Sequence, residues 1–463
     1  MTRDTQAQYR RMTETPIPRL ILSLALPTII SMMVTSIYNM ADTFFVSQLG
    51  TSAAGAVGIV FSIMAIIQAV GFTMGMGAGS NISRLLGQKQ QEEANRYASS
   101  AFFGAIGIGC LVLLAGLIFT NPLMRLLGAT DTILPYAADY GRYIFLGAPI
   151  MCGAFVLNNI LRSEGKAALS MVGIGLGGLL NIALDPLFIF VLDMGISGAA
   201  IATLFSQCVS FLILLSFFLR GKSACRLRLS NAFRSIRIYG VIVKTGLPTL
   251  ARQGLASAAA VALNVTAAPY GDAAVAAMSI VGRIVMFVQS VMVGFGQGFQ
   301  PVAGFNYGAA KYNRVRQAFS FEVKVGFVGL LVLAVLGFTL APQVLALFRA
   351  DDPEVIAIGA YALRCQCIVI PLSAVSTITN MLLQSTGQSW PATFIASARQ
   401  GIFYLPLVVG LDLAVGLKGV QLAQPISDGL TFLCCVPLLL WYFKRLARLE
   451  QEAAAHHSEE NVK

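Results

Sequence analysis

Long apolar segments recur along the whole chain, and they constrain its fold more than any other feature. A helix of about 20 apolar residues crosses the roughly 30 Å hydrocarbon core of a bilayer. We place such segments at 20–44, 53–77, 98–120, 136–160, 168–192, 196–219, 240–268, 273–298, 319–341, 355–382, 392–412 and 417–443. Because 56% of the residues are hydrophobic and only 11% are charged, the chain cannot build a surface suited to water. The sequence predicts an all-α integral membrane protein with 12 transmembrane helices.

The basic residues lie in alternate connections between these segments. They cluster before the first segment, at 84–96, 162–166, 220–237 and 311–316, and after the last segment, whereas the connections that alternate with these are mostly acidic. Cytoplasmic connections carry such an excess of Lys and Arg. We therefore predict a multi-pass protein of the inner, cytoplasmic membrane with both termini in the cytoplasm. The net charge of +11 therefore reflects the topology in the membrane, and we expect no nucleic-acid partner. We expect a monomer surrounded by lipid.

The two halves of the chain resemble each other. A shift of 221 residues pairs Pro27 with Pro248 and Gly50 with Gly271, and a shift of 222 pairs Asn158 with Asn380. Each half crosses the membrane an even number of times, which predicts two pseudo-symmetric six-helix bundles of the same orientation around a cleft. Duplication also occurs in channels and in non-transporting scaffolds. The predicted domains are an N-terminal segment 1–19, a bundle 20–219, a linker 220–238, a bundle 239–445 and a polar tail 446–463.

Two acidic residues lie within the predicted spans of the first half. An acid inside a membrane is a functional hypothesis by default, because an ionised one costs at least about 2.5 kcal/mol there. Asp42 shares a helical face with Thr35, Tyr38 and Asn39. Asp185 follows Asn181 by one turn in the fifth segment.

Other polar residues accompany these acids. They are Asn158 and Asn159 in the fourth segment, and Thr203, Ser206, Gln207 and Ser210 in the sixth. Two nearby carboxylates bind a proton more tightly than one does, and oxygen ligands also suit a hard cation. Two alternatives stay open, namely that Asp185 shapes a turn before Pro186 and that the asparagines hold helices together.

The second half lacks counterparts of these acids, since Leu263 and Pro406 take their places in the repeat. Ion coupling is therefore expected in the first half. Arg283, Arg399 and Asp428 lie within apolar spans of the second half and line the cleft or pair with other buried groups. The charged residues near the cytoplasmic ends of their helices are predicted to extend to water, and they are Lys244, Glu322 and Lys324.

Several motifs resemble those of prokaryotic multidrug and toxic compound extrusion (MATE) transporters of the DinF/MepA-like type. One is Gly296-Gln297-Gly298-Phe299-Gln300-Pro301, followed by Gly304-Phe305-Asn306-Tyr307-Gly308-Ala309. Another is Asn39, Asp42, Thr43 and Phe44, with Leu49 and Gly50 beyond. The resemblance runs from Pro18 to about Arg448.

The resemblance implies the MATE fold of two bundles and the export of cationic, amphipathic compounds driven by proton or sodium entry. It implies a cation site of Asp42, Asn158, Asn181, Asp185 and Thr203, with the carbonyl of Ala199 as an extra ligand; for sodium, the metal ligands are Asp42, Asn181, Asp185 and Thr203. The NorM-like branch has acids in helices seven and ten, which this chain lacks near Ala256 and between Ala357 and Gln384.

We therefore expect a cation-coupled antiporter of the multidrug efflux type, with no cofactor beyond the coupling ion. As substrate-binding residues we predict Tyr38, Asn39, Asn158, Gln289 and Arg283. The alternative is a flippase for lipid-linked precursors, which needs more basic residues than Arg252, Arg283 and Arg399. We do not expect an enzyme, because no metal-binding His/Cys spacing or phosphate loop occurs. The sequence leaves proton and sodium coupling both open.

Overall fold

A computed structural model describes residues 3–232, 234–349 and 352–460 of the chain. These residues form α-helices joined by short connections, and none of them lies in a strand. The helices are α1 (Arg3–Glu14), α2 (Ile17–Ser47), α3 (Thr51–Gly87), α4 (Gln91–Ile118), α5 (Thr120–Leu126), α6 (Leu134–Ser163), α7 (Ala167–Pro186), α8 (Gly195–Leu219), α9 (Leu229–Ala232), α10 (Ile236–Ala267), α11 (Asp272–Gly308), α12 (Tyr312–Thr339), α13 (Ala341–Ala346), α14 (Pro353–Val369), α15 (Ser373–Ser385), α16 (Ser389–Ser397), α17 (Tyr404–Val415) and α18 (Leu417–Glu460). Residues 1–2 of the predicted N-terminal segment and 461–463 of the predicted tail lie outside the described residues.

The long helices correspond to the predicted membrane spans. In the described ranges, 11 helical segments are long and apolar enough to cross a membrane. The remaining predicted span is α10, which is 32 residues long but less apolar because it carries Arg237, Lys244 and Arg252. The predicted all-helical membrane fold is confirmed.

Three of the spans are interrupted. The α7 span continues past Pro186 as a π-helix at Leu187–Val191, and a second π-helix at Ala398–Ile402 separates α16 from α17. A 3₁₀ turn at Ile370–Leu372 joins α14 to α15 around Pro371. Proline lacks a backbone N–H and loosens the helical hydrogen-bond ladder, and π-turns often occur at functional sites.

The repeat is visible in the backbone as well as in the sequence. Gly50 and Gly271 directly precede α3 and α11, and both have a positive φ, 116° and 93°, with ψ near 170°. Only glycine adopts this conformation readily. α3 and α11 each span 37 residues, and α4 and α12 each span 28. The two halves therefore share turns and helix lengths at equivalent positions.

The chain divides into two compact units. The N-terminal unit comprises residues up to Met12 together with 23–246, and the C-terminal unit comprises 13–22 and the residues from 247 onward. In the N-terminal unit the largely buried α6 packs against α3, α4 and α8. In the C-terminal unit α11 packs against α12, α14 and α15. The domain boundaries drawn from the sequence stay a prediction.

The stretch that follows α8 is fixed to the N-terminal unit by a buried carboxylate. Glu164, just after α6, accepts hydrogen bonds from Ser223 Oγ at 2.7 Å, from the Ala224 N–H at 2.8 Å and from the Cys225 N–H at 2.9 Å. Further on, Asn95 of α4 accepts from the Arg226 N–H at 2.9 Å. The beginning of the predicted linker is therefore part of the packed unit.

Candidate cation-binding site in the N-terminal unit

Asp42 lies on the polar face of α2 with Thr35, Tyr38 and Asn39. It is 9% exposed and Tyr38 is buried, whereas Thr35 and Asn39 are half-buried. Oδ2 of Asp42 accepts a hydrogen bond from the hydroxyl of Tyr140 at 3.4 Å. Oδ1 has no hydrogen-bond partner among the described residues. Asp42 thus keeps one oxygen free inside the unit.

Asn181 and Asp185 lie one turn apart on α7. Nδ2 of Asn181 donates to Oδ1 of Asp185 at 3.1 Å and to Oγ1 of Thr203, on α8, at 3.3 Å. Asp185 is 0% exposed. Within the described chain, its Oδ2 and Oδ1 of Asn181 have no partner. The carboxylate of Asp185 is therefore held by a side chain of its own helix, which gives no support to a turn-forming role before Pro186.

Tyr140 of α6 connects the two acidic positions and was not among the predicted residues. It is fully buried, and its hydroxyl lies against both Asp42 and Thr203. The signal that could have found Tyr140 is its position along α6, which places it at the same membrane depth as Asp42. Tyr140 lies within about two turns of the start of α6, as Asp42 lies near the end of α2, and consecutive spans run in opposite directions.

The two acids have no basic partner among the residues described. No Lys or Arg side chain in the part of the chain that the structure describes forms an ion pair with Asp42 or Asp185. The two carboxyl groups lie close enough to interact electrostatically. Two adjacent negative charges in a dry interior repel strongly and lose their hydration. A bound proton or cation relieves both penalties.

Four buried oxygens without a hydrogen-bond partner among the described residues lie on α2, α7 and α8. They are Oδ1 of Asp42, Oδ1 of Asn181, Oδ2 of Asp185 and Oγ of Ser206. Hard cations such as sodium take oxygen ligands, and a carboxylate also accepts a proton. Ala199 is fully buried one turn before Thr203, and its carbonyl keeps a second lone pair beside the helical hydrogen bond. The oxygens present therefore fit either ion, and the predicted roles of these residues stay a prediction.

Asn158 makes contacts of another kind. Its Nδ2 donates to the Ser170 carbonyl of α7 at 3.2 Å and to the Ser170 hydroxyl. In the second half, Asn380 likewise donates to the Ala392 carbonyl. Because the same contact occurs in both halves, it supports the alternative that these asparagines hold helices together.

A small pocket adjoins the acidic cluster. It is lined by Thr35, Tyr38, Ala154, Phe155, Ile174, Gly177, Gly178, Gln207 and Ser210. The two glycines allow close packing, since a Cβ on Gly178 would lie 2.8 Å from Val34 Cγ1 and 3.1 Å from Tyr38 Cδ1. The side chains of Tyr38 and Gln207 interact across the pocket. Tyr38 thus belongs both to the pocket and to the face that carries Asp42.

The candidates of the second half are in different surroundings. Arg399, on the π-helix, donates from Nε to Oδ1 of Asp428 at 2.7 Å, and Gln366 donates to Oδ2 at 2.7 Å. Gln289 is buried and donates to Ser373 Oγ at 2.9 Å. Arg283 is exposed on α11. The substrate-binding roles of Gln289 and Arg283 stay a prediction.

One expectation for the second half is wrong. Glu322 does not extend to water, because its side chain is 0% exposed. Lys244 and Lys324 are exposed, and their extension to water stays a prediction. The difference arises because neighbouring helices cover the face of α12 that carries Glu322.

Known proteins share this architecture. The multidrug export protein MepA of Staphylococcus aureus is 28% identical over 446 residues, which are 96% of this chain and 97% of MepA. A MOP superfamily transporter from Pyrococcus furiosus, described as having a binding pocket of reverse polarity, superposes with a TM-score of 0.87 at 28% identity, covering 96% of this chain and 98% of that one. A MATE crystal structure in the bent conformation gives a TM-score of 0.88 at 28% identity and covers 98% and 100%.

The family match follows the internal repeat. The sequence model of the MatE family matches twice, over residues 27–187 and 248–409. The two matches begin at the register-equivalent prolines Pro27 and Pro248, and together they cover most of the chain. With helices and turns repeated in the same register, the chain belongs to the MatE family, a family of membrane transporters rather than of enzymes.

Proposed function

We propose that this protein exports amphipathic organic compounds across the cytoplasmic membrane in antiport with protons or sodium ions. The proposal rests on Asp42 and Asp185, two buried acids that interact with each other, each keep a free oxygen and form no ion pair among the described residues. The names of the relatives, a multidrug export protein and MATE transporters, support the substrate class. The coupling ion is proposed as the only cofactor of a monomer with both termini in the cytoplasm.

Coupling follows from the place of the acids beside the pocket. Tyr38 lines the pocket and shares the α2 face with Asp42, so occupation of the cation site and of the pocket affects the same helix face. If each ligand favours a different conformation, each weakens the binding of the other, and the effect is reciprocal. Cation entry then drives substrate exit by alternating access. We assign substrate contact in this unit to Tyr38 and Asn39.

The paired-acid site belongs to the N-terminal unit alone. The register partners of Asp42 and Asp185 are Leu263 and Pro406, which offer no carboxylate. The C-terminal unit places Asp428 against Arg399 instead, so that carboxylate already has a fixed counter-charge. A cation that enters the C-terminal unit finds no equivalent pair of acids there.

The Arg399–Asp428 pair also weighs against a flippase for pyrophosphate-linked lipids. Such a substrate needs several unneutralised basic groups. Of the three arginines considered from the sequence, Arg399 is bound to Asp428, which leaves only Arg252 and Arg283 for such a substrate. The antiporter is therefore the function that the geometry supports best.

The test is counterflow in proteoliposomes that contain the purified protein. A sodium gradient and a proton gradient are imposed separately, and the accumulation of a cationic fluorescent dye is measured. We expect one of the two gradients to drive accumulation, and Asp42→Asn to abolish it. Asp131→Asn removes a largely exposed acid of the same unit and serves as the control.

Two outcomes contradict the proposal. If neither gradient drives transport of any cationic dye, the chain is not an antiporter of this kind. If Asp42→Asn transports at the wild-type rate, the ion does not act through the paired acids.

A further inference from the structure

The C-terminal unit contains one buried acid that the proposed transport cycle does not use. Glu322 is the eleventh residue of α12, roughly 15 Å along the helix from its first residue. Its side chain is 0% exposed, and neither carboxyl oxygen has a hydrogen-bond partner among the described residues. No ion pair in the described part of the chain includes it. Glu322 is thus a buried carboxyl without a counter-charge.

The surroundings of Glu322 can be read from the packing of α12. A Cβ on Gly326, one turn later, would lie 2.9 Å from Cε of Met292 on α11 and 3.6 Å from Cβ of Ala374 on α15. Gly337 similarly approaches Cys367 of α14. A later residue of α12 thus meets an earlier residue of the α14–α15 segment, so α12 runs antiparallel to that segment. Glu322 therefore lies about one turn beyond Ala374, level with Thr379.

Thr379 offers an unused polar atom at that level. Its side chain is 0% exposed, and its Oγ1 has no partner within the residues described. On the other side, the ring of Phe319, one turn before Glu322, packs against the ring of Phe443 on α18 with centroids 5.3 Å apart. Helices α11, α15 and α18 thus enclose Glu322, and a buried hydroxyl lies at its level.

Few titratable groups face this region. On α12 itself, Lys324 is exposed on another face, and Arg316 is paired with Glu450 at 2.6 Å. α11 carries no titratable side chain between Arg283 and Tyr307, and α15 carries none. α18 contributes the buried Tyr442 beside Phe443, and Cys435 against Ser376. None of the groups that face Glu322 is a base that could neutralise an ionised carboxylate.

The ionised and protonated states of a carboxyl group in these surroundings differ greatly in free energy. Ionised, it loses its hydration and gains no counter-charge. Protonated, it is neutral, and a neutral polar group costs far less to bury than a charged one. The closed arrangement around α12 therefore selects the protonated form, and an arrangement that admits water selects the ionised form.

We propose that Glu322 is a proton-binding site of the C-terminal unit, neutral in the conformation described and deprotonated in another conformation that admits water to it. The proposal rests on the proposed transport function. It adds a proton carrier to the unit that lacks the paired acids. A sodium-driven cycle at Asp42 and a proton site at Glu322 are compatible, because the two groups lie in separate units.

The test measures proton release from the purified protein in weakly buffered detergent solution when a cationic dye is added. We expect wild type to release protons, Glu322→Gln to lose part of that release, and Glu322→Asp to restore it. Glu354→Gln, which removes an exposed carboxyl of the same unit, should release as much as wild type. Equal release by wild type and Glu322→Gln overturns the proposal, whereas gradient-driven transport by both proteins leaves the antiporter intact.

A second measurement needs no variant. Wild type carrying isotope-labelled glutamate is examined by infrared spectroscopy at neutral pH. We expect the carbonyl band of a protonated glutamate. Glu164, the other fully buried glutamate among the described residues, accepts hydrogen bonds as a carboxylate, so the band belongs to Glu322. A spectrum with no protonated glutamate overturns the proposal even if Glu322→Gln does not fold.

Discussion

The side-chain amide of Asn181 donates to Asp185 at 3.1 Å and leaves Oδ2 of that aspartate free. The bond fixes the direction of the carboxylate, and it satisfies only one of the two oxygens. A free oxygen in a buried carboxylate is costly unless an ion or a proton occupies the site. The stability of the protein should therefore depend on the coupling ion.

Removal of Asp185 should abolish stabilisation by the coupling ion. An ion that binds the folded state stabilises it by about 2.7 kcal/mol at about 100 times its Kd. We expect the thermal midpoint of wild type to rise with sodium concentration or with acidity, and that of Asp185→Asn to stay constant. Thermal unfolding in detergent measures both, and Asp131→Asn should behave as wild type. A full rise in Asp185→Asn would place the ion elsewhere.

Tyr140→Phe should make Asp42 bind a proton more tightly while it keeps the packing of the ring. It removes the hydroxyl that donates to Asp42 at 3.4 Å. A hydrogen bond to a charged group contributes about 1.5–3 kcal/mol, and the length of this one favours the lower value. If the coupling ion is the proton, its concentration for half-maximal transport should fall roughly tenfold, because the ionised carboxylate loses a donor that stabilises it. The exposed Tyr136→Phe, on the same helix, should leave it unchanged, and equal values for the two variants would exclude a role of Tyr140.

Gly178→Ala should destabilise the N-terminal unit. Its Cβ would meet Val34 at 2.8 Å and Tyr38 at 3.1 Å, and overpacking of this kind costs about 1–3 kcal/mol. Gly175, on the same helix, has open space around its Cβ. Gly175→Ala should therefore be neutral or stabilising by up to about 1 kcal/mol. Thermal unfolding of the two variants gives the comparison, and a lower midpoint for Gly175→Ala would contradict it.

Asn158→Ala and Asn380→Ala should have the same consequence. Each removes a buried hydrogen bond to the next helix, whose carbonyl keeps its helical partner, so the expected cost is about 0.5–1.5 kcal/mol. We expect lower thermal midpoints but unchanged transport per folded molecule. Loss of transport in Asn158→Ala alone would instead support the ligand role implied by the family resemblance.

Cys225 should be inert to alkylation until its hydrogen bonds to Glu164 are weakened. Burial, together with the charge of Glu164, raises the pKa of the Cys225 thiol well above its ordinary value. A raised pKa leaves the thiol protonated at neutral pH, and the thiolate is the reactive form. Glu164→Gln removes the charge that holds three donors. Loss of one charge-assisted hydrogen bond, about 1.5–3 kcal/mol, should raise the alkylation rate of Cys225 at least roughly tenfold.

Peptide mapping after alkylation identifies the modified cysteine. Glu92→Gln, which changes an exposed acid on α4, is the matched control. An unchanged rate in Glu164→Gln would show that the hydrogen bonds of Glu164 do not limit access to Cys225.

The sequence reveals features that depend on a single helix or on the repeat. Asp42 and its α2 neighbours follow from spacing alone, and Gly50 and Gly271 follow from register. Tyr140 could not be found in this way, because spacing within α6 does not show which helix it meets. The burial of Glu322 was missed for the same reason.

The internal repeat also predicts the surroundings of a residue less well where the two halves differ. Asp428 takes the place of Gln207 in the repeat, so the sequence places a carboxylate there. Its partner Arg399 is equivalent in the repeat to Gly177 and Gly178, which line a pocket in the first half. Only the packed side chains show that one half keeps this space open and the other fills it with an ion pair.

The shared conformation of Gly50 and Gly271 bears on the history of the chain. A turn that only glycine adopts readily, found at the same place in both halves, is what tandem duplication of one ancestral gene leaves behind. Such an ancestor would have encoded six spans. Duplication lets two copies of one frame diverge, which accounts for the acids Asp42 and Asp185 in one half and Leu263 and Pro406 at the same positions of the other.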